Sequence, residues 1–365
     1  MSAARRAAHQ QPGTGYRMIH SAVIRNFRCF EHATLDHCRR INIIVGNNAS
    51  GKTALLEALF LALGPSPEIA VRFRNWRGYE RSLSGTQQDI EEAMWSDLFH
   101  GLNRDLAIDV EVTGSDRHNR SLTVVYEQSD TFVPITEERS ASAWAPSPIS
   151  FTWIRHDGRE VLVRPQFTGA GYHFIGAEHP ALEATFFAST NPYSTAETLK
   201  RFSILDKRRG ATNVINDFTA EFPFVRDVDI QPHAGVSMLH ADIPTLPEKV
   251  PLSAISSGVN KFATLLFAIA AQPRTVVFVD EIENGLYYNR LVSIWKSIYK
   301  NCRHSDVQLF ASTHSRECLE ALAEACQDTP DDVSLIRTEM IEGAAVLEQF
   351  DGSAFFPGVA VGEFR

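Results

Sequence analysis

Eight consecutive residues, Gly46-Asn47-Asn48-Ala49-Ser50-Gly51-Lys52-Thr53, have the types and spacing of a loop that wraps a polyphosphate. The glycines let the backbone curl so that successive N–H groups point inward at phosphate oxygens. A helix opening at the same place adds the positive end of its dipole. On this pattern Lys52 reaches the β- and γ-phosphates and Thr53 ligates magnesium, so the expected ligands are ATP and Mg2+. Val276-Val277-Phe278-Val279-Asp280-Glu281 supplies a second part, an apolar strand that delivers two carboxylates at its end. Asp280 belongs in the magnesium shell. Glu281, one residue later and pointing to the other side, is placed to polarise an attacking water, because phosphoryl transfer depends on positioning and electrostatics.

Two more turns complete the set. Ser312-Thr313-His314-Ser315 follows another apolar strand, so His314 is expected on the same sheet edge as Asp280 and Glu281, where it can sense a γ-phosphate. Ser256-Ser257-Gly258-Val259-Asn260-Lys261 opens a helix and reads as a second anion-binding turn. One chain has one nucleotide site to fill. Ser257 and Gly258 therefore make sense as the completion of a second copy's site, with two ATP molecules buried between two-fold related heads.

These groups need a scaffold that brings strand ends together. Residues 18–30 and 40–45 read as strands, the second a continuous apolar run of the kind buried in a central sheet, and residues 53–63 as a nearly all-apolar helix stopped at Gly64-Pro65. Residues 106–112, 121–127, 150–156 and 160–165 read as short antiparallel strands. Residues 195–221 turn helical and charged, with Lys200, Arg201, Lys207, Arg208 and Arg209, ahead of a Pro-rich linker at 244–251. From 252 onward, helix and buried-strand patterns alternate again, ending in a hairpin over 333–350. The expected fold is an α/β P-loop NTPase with an inserted antiparallel β-subdomain and a helical arm. Its boundaries fall at 1–16 (disordered extension), 17–104 (first part of the core), 105–194 (β-rich insertion), 195–250 (arm and linker) and 251–365 (second part of the core).

The chain has 365 residues, 44% of them hydrophobic, ample for a sizeable core. The apolar stretch at 265–271 is far too short to cross a bilayer, and the first 16 residues lack the apolar core of a secretory signal, so a cytoplasmic protein without membrane function is expected. Five cysteines, at 29, 38, 302, 318 and 326, show neither a paired framework nor zinc-site spacing. A net charge of -9 argues against a protein basic all over, yet leaves room for a local groove that touches DNA. Asp227-Val228-Asp229 reads as a surface turn, and Gln87 and Gln88 sit in a polar loop.

With these motifs in order, the sequence resembles the ABC-type ATPase heads that include the SMC, RecF and OLD-like families, and most of all the OLD-like ATPases of the broad AAA group. The likeness lies in residues 23–30, in the phosphate-loop segment through Glu57-Ala58-Leu59, in 280–288 and in 307–315. It implies an ATP-sandwich dimer, with Ser257 and Gly258 in the role of the signature turn, Asn284 and Gly285 in the loop between subunits, and His314 as the switch histidine. Two departures stand out. The signature is not Leu-Ser-Gly-Gly-Gln, and Tyr287-Tyr288 stands where a His-Pro pair is often found. Many OLD-like proteins carry a Toprim nuclease after the ATPase, and this chain ends soon after the His314 helix. The resemblance therefore implies a stand-alone ATPase that senses or controls a separate effector, a nuclease or toxin, in anti-phage defence; the alternative is a RecF-like ATPase acting on DNA.

Overall fold

A computed structural model describes residues 18–64, 66, 68–76, 87–114, 119–127, 149–155, 157–168, 171–175, 184–189, 195–233 and 235–361. The expected disordered extension at 1–16 lies outside them. Strands β1 (Ile19–Phe27), β2 (Phe30–Leu35) and β3 (Ile41–Val45) lead into helix α1 (Lys52–Leu63). Helices α2 (Glu68–Trp76) and α3 (Gln87–Trp95) follow, then β4 (Ile108–Gly114), β5 (Asn119–Tyr126), β6 (Ile149–Ile154), β7 (Glu160–Thr168), β8 (Gly171–Ile175) and β9 (Ala184–Phe187). Next come α4 (Thr195–Lys207), α5 (Ala211–Glu221), β10 (Asp227–His233), β11 (Val236–Asp242), β12 (Val250–Pro251), α6 (Leu252–Ile255) and α7 (Ser257–Ala271). The last part holds β13 (Val276–Val279), α8 (Leu291–Ser305), β14 (Gln308–Ser312), α9 (Arg316–Ala325), β15 (Val333–Ile341), β16 (Ala344–Asp351) and α10 (Gly352–Val361).

The central sheet runs β16-β15-β3-β14-β13-β9, parallel except for the hairpin strand β16. Every residue of β3, β13 and β14 is buried, as expected of parallel strands covered on both faces. One face carries α4, α5, α7, α8 and α9, whose apolar sides share a core with Ile41, Ile43, Val277 and Leu309. The other face packs on α1, and α1 in turn packs on a seven-stranded antiparallel sheet, β2-β1-β4-β5-β6-β7-β8. Ten of the twelve residues of α1 are buried, which explains its lack of a polar face.

Three boundaries differ from the sequence reading. Residues 18–30 are not one strand, because Asn26 (φ 55°) and Arg28 (φ 51°) turn the chain into the β1-β2 hairpin. Within 105–194, β4 to β8 do not stand apart as an insertion but continue the sheet that β1 begins, and β9 belongs to the central sheet beside β13. β9 is four residues long and pairs in parallel with a distant segment, so no local alternation announces it. Residues 195–250 are not a projecting arm. Phe202, Leu205, Val214 and Phe218 give α4 and α5 an apolar side that is buried in the core near α7, and β10, β11 and β12 form a small sheet beyond them. Asp227-Val228-Asp229 is the start of β10 rather than a turn, with Asp229 bonded to Lys249 and Gln231.

One buried side chain stitches the two large sheets together. Gln308, fully buried at the start of β14, accepts from the N–H of Ile19 (2.7 Å) and donates to the carbonyls of Ile19 (2.8 Å) and Arg39 (2.8 Å). Gln308→Leu keeps the volume but strips partners from buried backbone groups. We expect a loss of about 2–3 kcal/mol, measured as a lower urea midpoint without a change in the slope of unfolding.

Candidate active site

The loop after β3 is shaped by close packing. Gly46 has φ 147°, and a Cβ there would lie 2.2 Å from the carbonyl oxygen of Thr338. Gly51 has φ 103°, with the Cys29 sulfur 2.8 Å from where a Cβ would stand. Both positions require glycine on two counts, handedness and space. Ser50 turns its hydroxyl away from the loop's mouth to Thr338 Oγ1 at 2.5 Å, and Thr338 donates to the carbonyl of Val45 (3.1 Å), tying the loop to β15. Lys52 folds over the loop and donates to the carbonyls of Gly46 (2.7 Å) and Asn47 (2.9 Å). Burial lowers its pKa, while Asp280, Glu281 and Glu283 pull the other way.

The two carboxylates emerge where β13 ends. Asp280 accepts from Thr53 Oγ1 on both oxygens (3.1 and 3.0 Å) and from Ser312 Oγ at 2.6 Å. Thr53 and Asp280 together present hard oxygen donors on a shared edge, the donor chemistry that Mg2+ takes. No group of three or more His, Cys, Asp or Glu residues that could hold a metal occurs among the described residues. Glu281 sits in the left-handed region (φ 48°), donates its N–H to Ser312 Oγ (2.8 Å) and accepts from the Asn284 amide on its carboxylate. Lys52, Thr53, Asp280 and Glu281 line one cleft of about 650 Å3, with Arg28 and Phe99 also on its wall.

The remaining expected residues fall around this cleft. His314 lies on a second cleft of about 470 Å3 with Gly46, Asn47 and Asn48, so the loop stands between it and Lys52. Its N–H (3.0 Å) and Nδ1 (3.1 Å) both meet Glu283 Oε1. Ser257 is exposed at the start of α7, where Ser256 caps the helix by accepting from the N–H of Val259 (3.1 Å). Gly258 is pressed on the loop after Glu281: a Cβ there would stand 1.9 Å from the carbonyl oxygen of Gly285. Ser257 and Gly258 are not on the wall of the Lys52 cleft. Beyond Gly285, Tyr287 and Tyr288 are exposed with their rings 4.9 Å apart. The side chains of Gln87 and Gln88 lie outside the described residues.

Sequence reasoning missed several members. In the sequence Ser312 reads only as part of a turn, yet it joins both carboxylate-bearing residues. Glu283 fixes His314, and its adjacency to Asp280-Glu281 was the available signal. Arg28 forms a buried ion pair with Glu57 of α1 (2.8 Å) and also reaches Asp97 (3.5 Å), which is itself bonded to Arg74.

Residues 41–320 match the family model described as "AAA domain, putative AbiEii toxin, Type IV TA system". The chain belongs to this AAA family of ATPases. An "ATP/GTP phosphatase" of Helicobacter pylori is 24% identical over 346 residues, which span 85% of this AAA ATPase and 89% of the relative. The DNA replication and repair protein RecF of Psychromonas ingrahamii is 58% identical over 45 residues, 12% of each chain. An SMC head solved with the C-winged helix domain of ScpA superposes with a TM-score of 0.48 at 15% identity, covering 91% of this chain and 97% of that one.

Ser312→Ala removes one donor to Asp280 and the acceptor for the Glu281 N–H in a single step. The expected outcome is a drop in the ATP turnover rate of about 10- to 100-fold with nucleotide affinity nearly kept, read from phosphate release and fluorescent-nucleotide titration.

Proposed function

We propose that this AAA ATPase hydrolyses ATP with Mg2+ in a nucleotide-sandwich dimer and uses the state of that dimer to control a separately encoded effector, a nuclease or toxin, in bacterial anti-phage defence. In this reading the backbone of Gly46, Asn47, Asn48, Ala49, Ser50 and Gly51 wraps the phosphates and Lys52 neutralises the β- and γ-oxygens. Thr53 and Asp280 hold the magnesium, which supplies charge neutralisation at the transferred group. Glu281 orients the attacking water, and His314 reads the γ-phosphate from across the loop.

The observation that carries the proposal is a division. Lys52, Thr53, Asp280 and Glu281 share one cleft, while the exposed Ser257 lies off its wall at the N-terminus of α7. A second copy related by a two-fold axis would bring that Ser257 to this cleft, and each head would complete the other. The exposed aromatic pair Tyr287 and Tyr288, next to Gly285, gives such a dimer an apolar contact beside the nucleotide. The OLD-like likeness and the type IV toxin-antitoxin system in the family's description support an effector under nucleotide control. A cytoplasmic setting fits a chain in which no helix among the described residues is long and apolar enough to cross a membrane.

A second reading, a RecF-like ATPase acting on DNA, is favoured by the shared segment with RecF and by Lys207, Arg208 and Arg209, which are exposed together at the end of α4. That reading requires ATP-dependent DNA binding that weakens steeply with salt.

Lys52→Ala is expected to lose ATP binding. Glu281→Gln is expected to bind ATP, hydrolyse it slowly and accumulate as a dimer, read as mass in solution with and without ATP and Mg2+ and with the genomic neighbour co-expressed. Parent-like turnover in both variants would refute the site. An unchanged mass in Glu281→Gln would refute the sandwich, and failure to hold or release any neighbour would refute the effector.

A further inference from the structure

Helix α7 buries a lysine where its neighbours are apolar. Lys261 is 5% exposed, flanked by Phe262, Leu265 and Leu266 in the same helix. Its ammonium donates to the carbonyls of Glu281 (2.8 Å) and Asn284 (3.2 Å). These two carbonyls are the two ends of the turn that follows the β13 strand, and that turn is closed by the Asn284 N–H on the Glu281 carbonyl at 3.1 Å. One cation therefore grips the start and the finish of the turn at once.

The turn needs holding. Glu281 is a non-glycine residue at φ 48°, a conformation that costs roughly 1 kcal/mol or more and persists only where its surroundings fix it. Its N–H is fixed by Ser312, its carboxylate by Asn284 and its carbonyl by Lys261. The first two contacts come from the end of β14 and from the turn itself. The third comes from α7, the same helix that presents Ser257 at its first turn and presses Gly258 on Gly285.

A buried charge is an expensive way to hold a turn that a neutral donor could also reach. Burial pushes the Lys261 ammonium down to about 8, against the pull of Glu283, Glu281 and Asp280. A charge-assisted bond is roughly twice as strong as a neutral one, and the 2.8 Å contact to the Glu281 carbonyl has the length of such a bond. The gripped carbonyl and the Glu281 carboxylate leave from the same Cα.

We propose that Lys261 is a positioning residue for ATP hydrolysis: by bonding the carbonyls of Glu281 and Asn284 from α7, it fixes the catalytic carboxylate and makes its placement depend on the helix that carries Ser257. This rests on the reading of Glu281 as the water-orienting group. Lys261 is not on the wall of the nucleotide cleft and reaches it only through Glu281, so its effect falls on turnover and not on binding.

The test uses full-length Lys261→Met, Lys261→Gln and Lys261→Arg beside Glu281→Gln, with kcat, KM and fluorescent-nucleotide affinity measured for each. The expected result is kcat lower by about tenfold or more in the Met and Gln variants, with KM and nucleotide affinity within about threefold of the parent, and a partial return of kcat with Arg. Parent-like kcat in either uncharged variant overturns the proposal while leaving the role of Glu281 intact. Loss of nucleotide affinity in step with kcat in both uncharged variants also overturns it, since Lys261 would then be a structural residue. Parent-like kcat in Glu281→Gln instead removes the reading on which the proposal stands.

Discussion

The Asp280 carboxylate is the point on which this molecule turns. Thr53 reaches it from α1 and Ser312 from β14, and the backbone N–H of Asp280 is bonded to Phe187 in β9. Four segments spread over some two-thirds of the chain meet at this one residue. Such a meeting is possible only because parallel strands present their carboxyl ends along one edge, which is where open α/β sheets gather ligands. The rest of the architecture serves this alignment. Gln308 fixes the opposite end of β14 to β1, and the all-buried strands leave no freedom of register between β3, β13 and β14.

Much of the site could be read from the sequence because its parts are local. A phosphate loop is eight residues long, and an apolar strand ending in two acids is six, so each carries its own physical logic within a short window. The order of core elements after residue 252 was equally legible, because α7, β13, α8, β14 and α9 alternate at periods that differ plainly. Contacts between distant segments left no such trace. Nothing in Ala184-Thr185-Phe186-Phe187 says that it pairs in parallel with β13, and nothing around Lys207 says whether the charged helices stand out or fold back.

The residues that link the site's parts were the hardest to see. Ser312, Glu283 and Lys261 each act through another group: a serine between two acids, a glutamate behind a histidine, a lysine behind a turn. Their types are ordinary, and their importance lies in distances between segments. Arg28 and Glu57 are a similar case. Both lie in segments that carry the likeness to known families, yet only the packed structure joins them as an ion pair between the hairpin turn and α1.

Helix α1 is enclosed by a sheet on either side and has almost no surface of its own. This confinement governs where the molecule can vary. The helix as a whole touches two layers at once, so a change in volume there presses on one sheet or the other, and close-packed interiors answer such changes poorly. The outward faces of β6 and β7, and the exposed sides of α4 and α8, face no such demand. The periphery can accordingly vary without disturbing the helix that opens at the loop after β3.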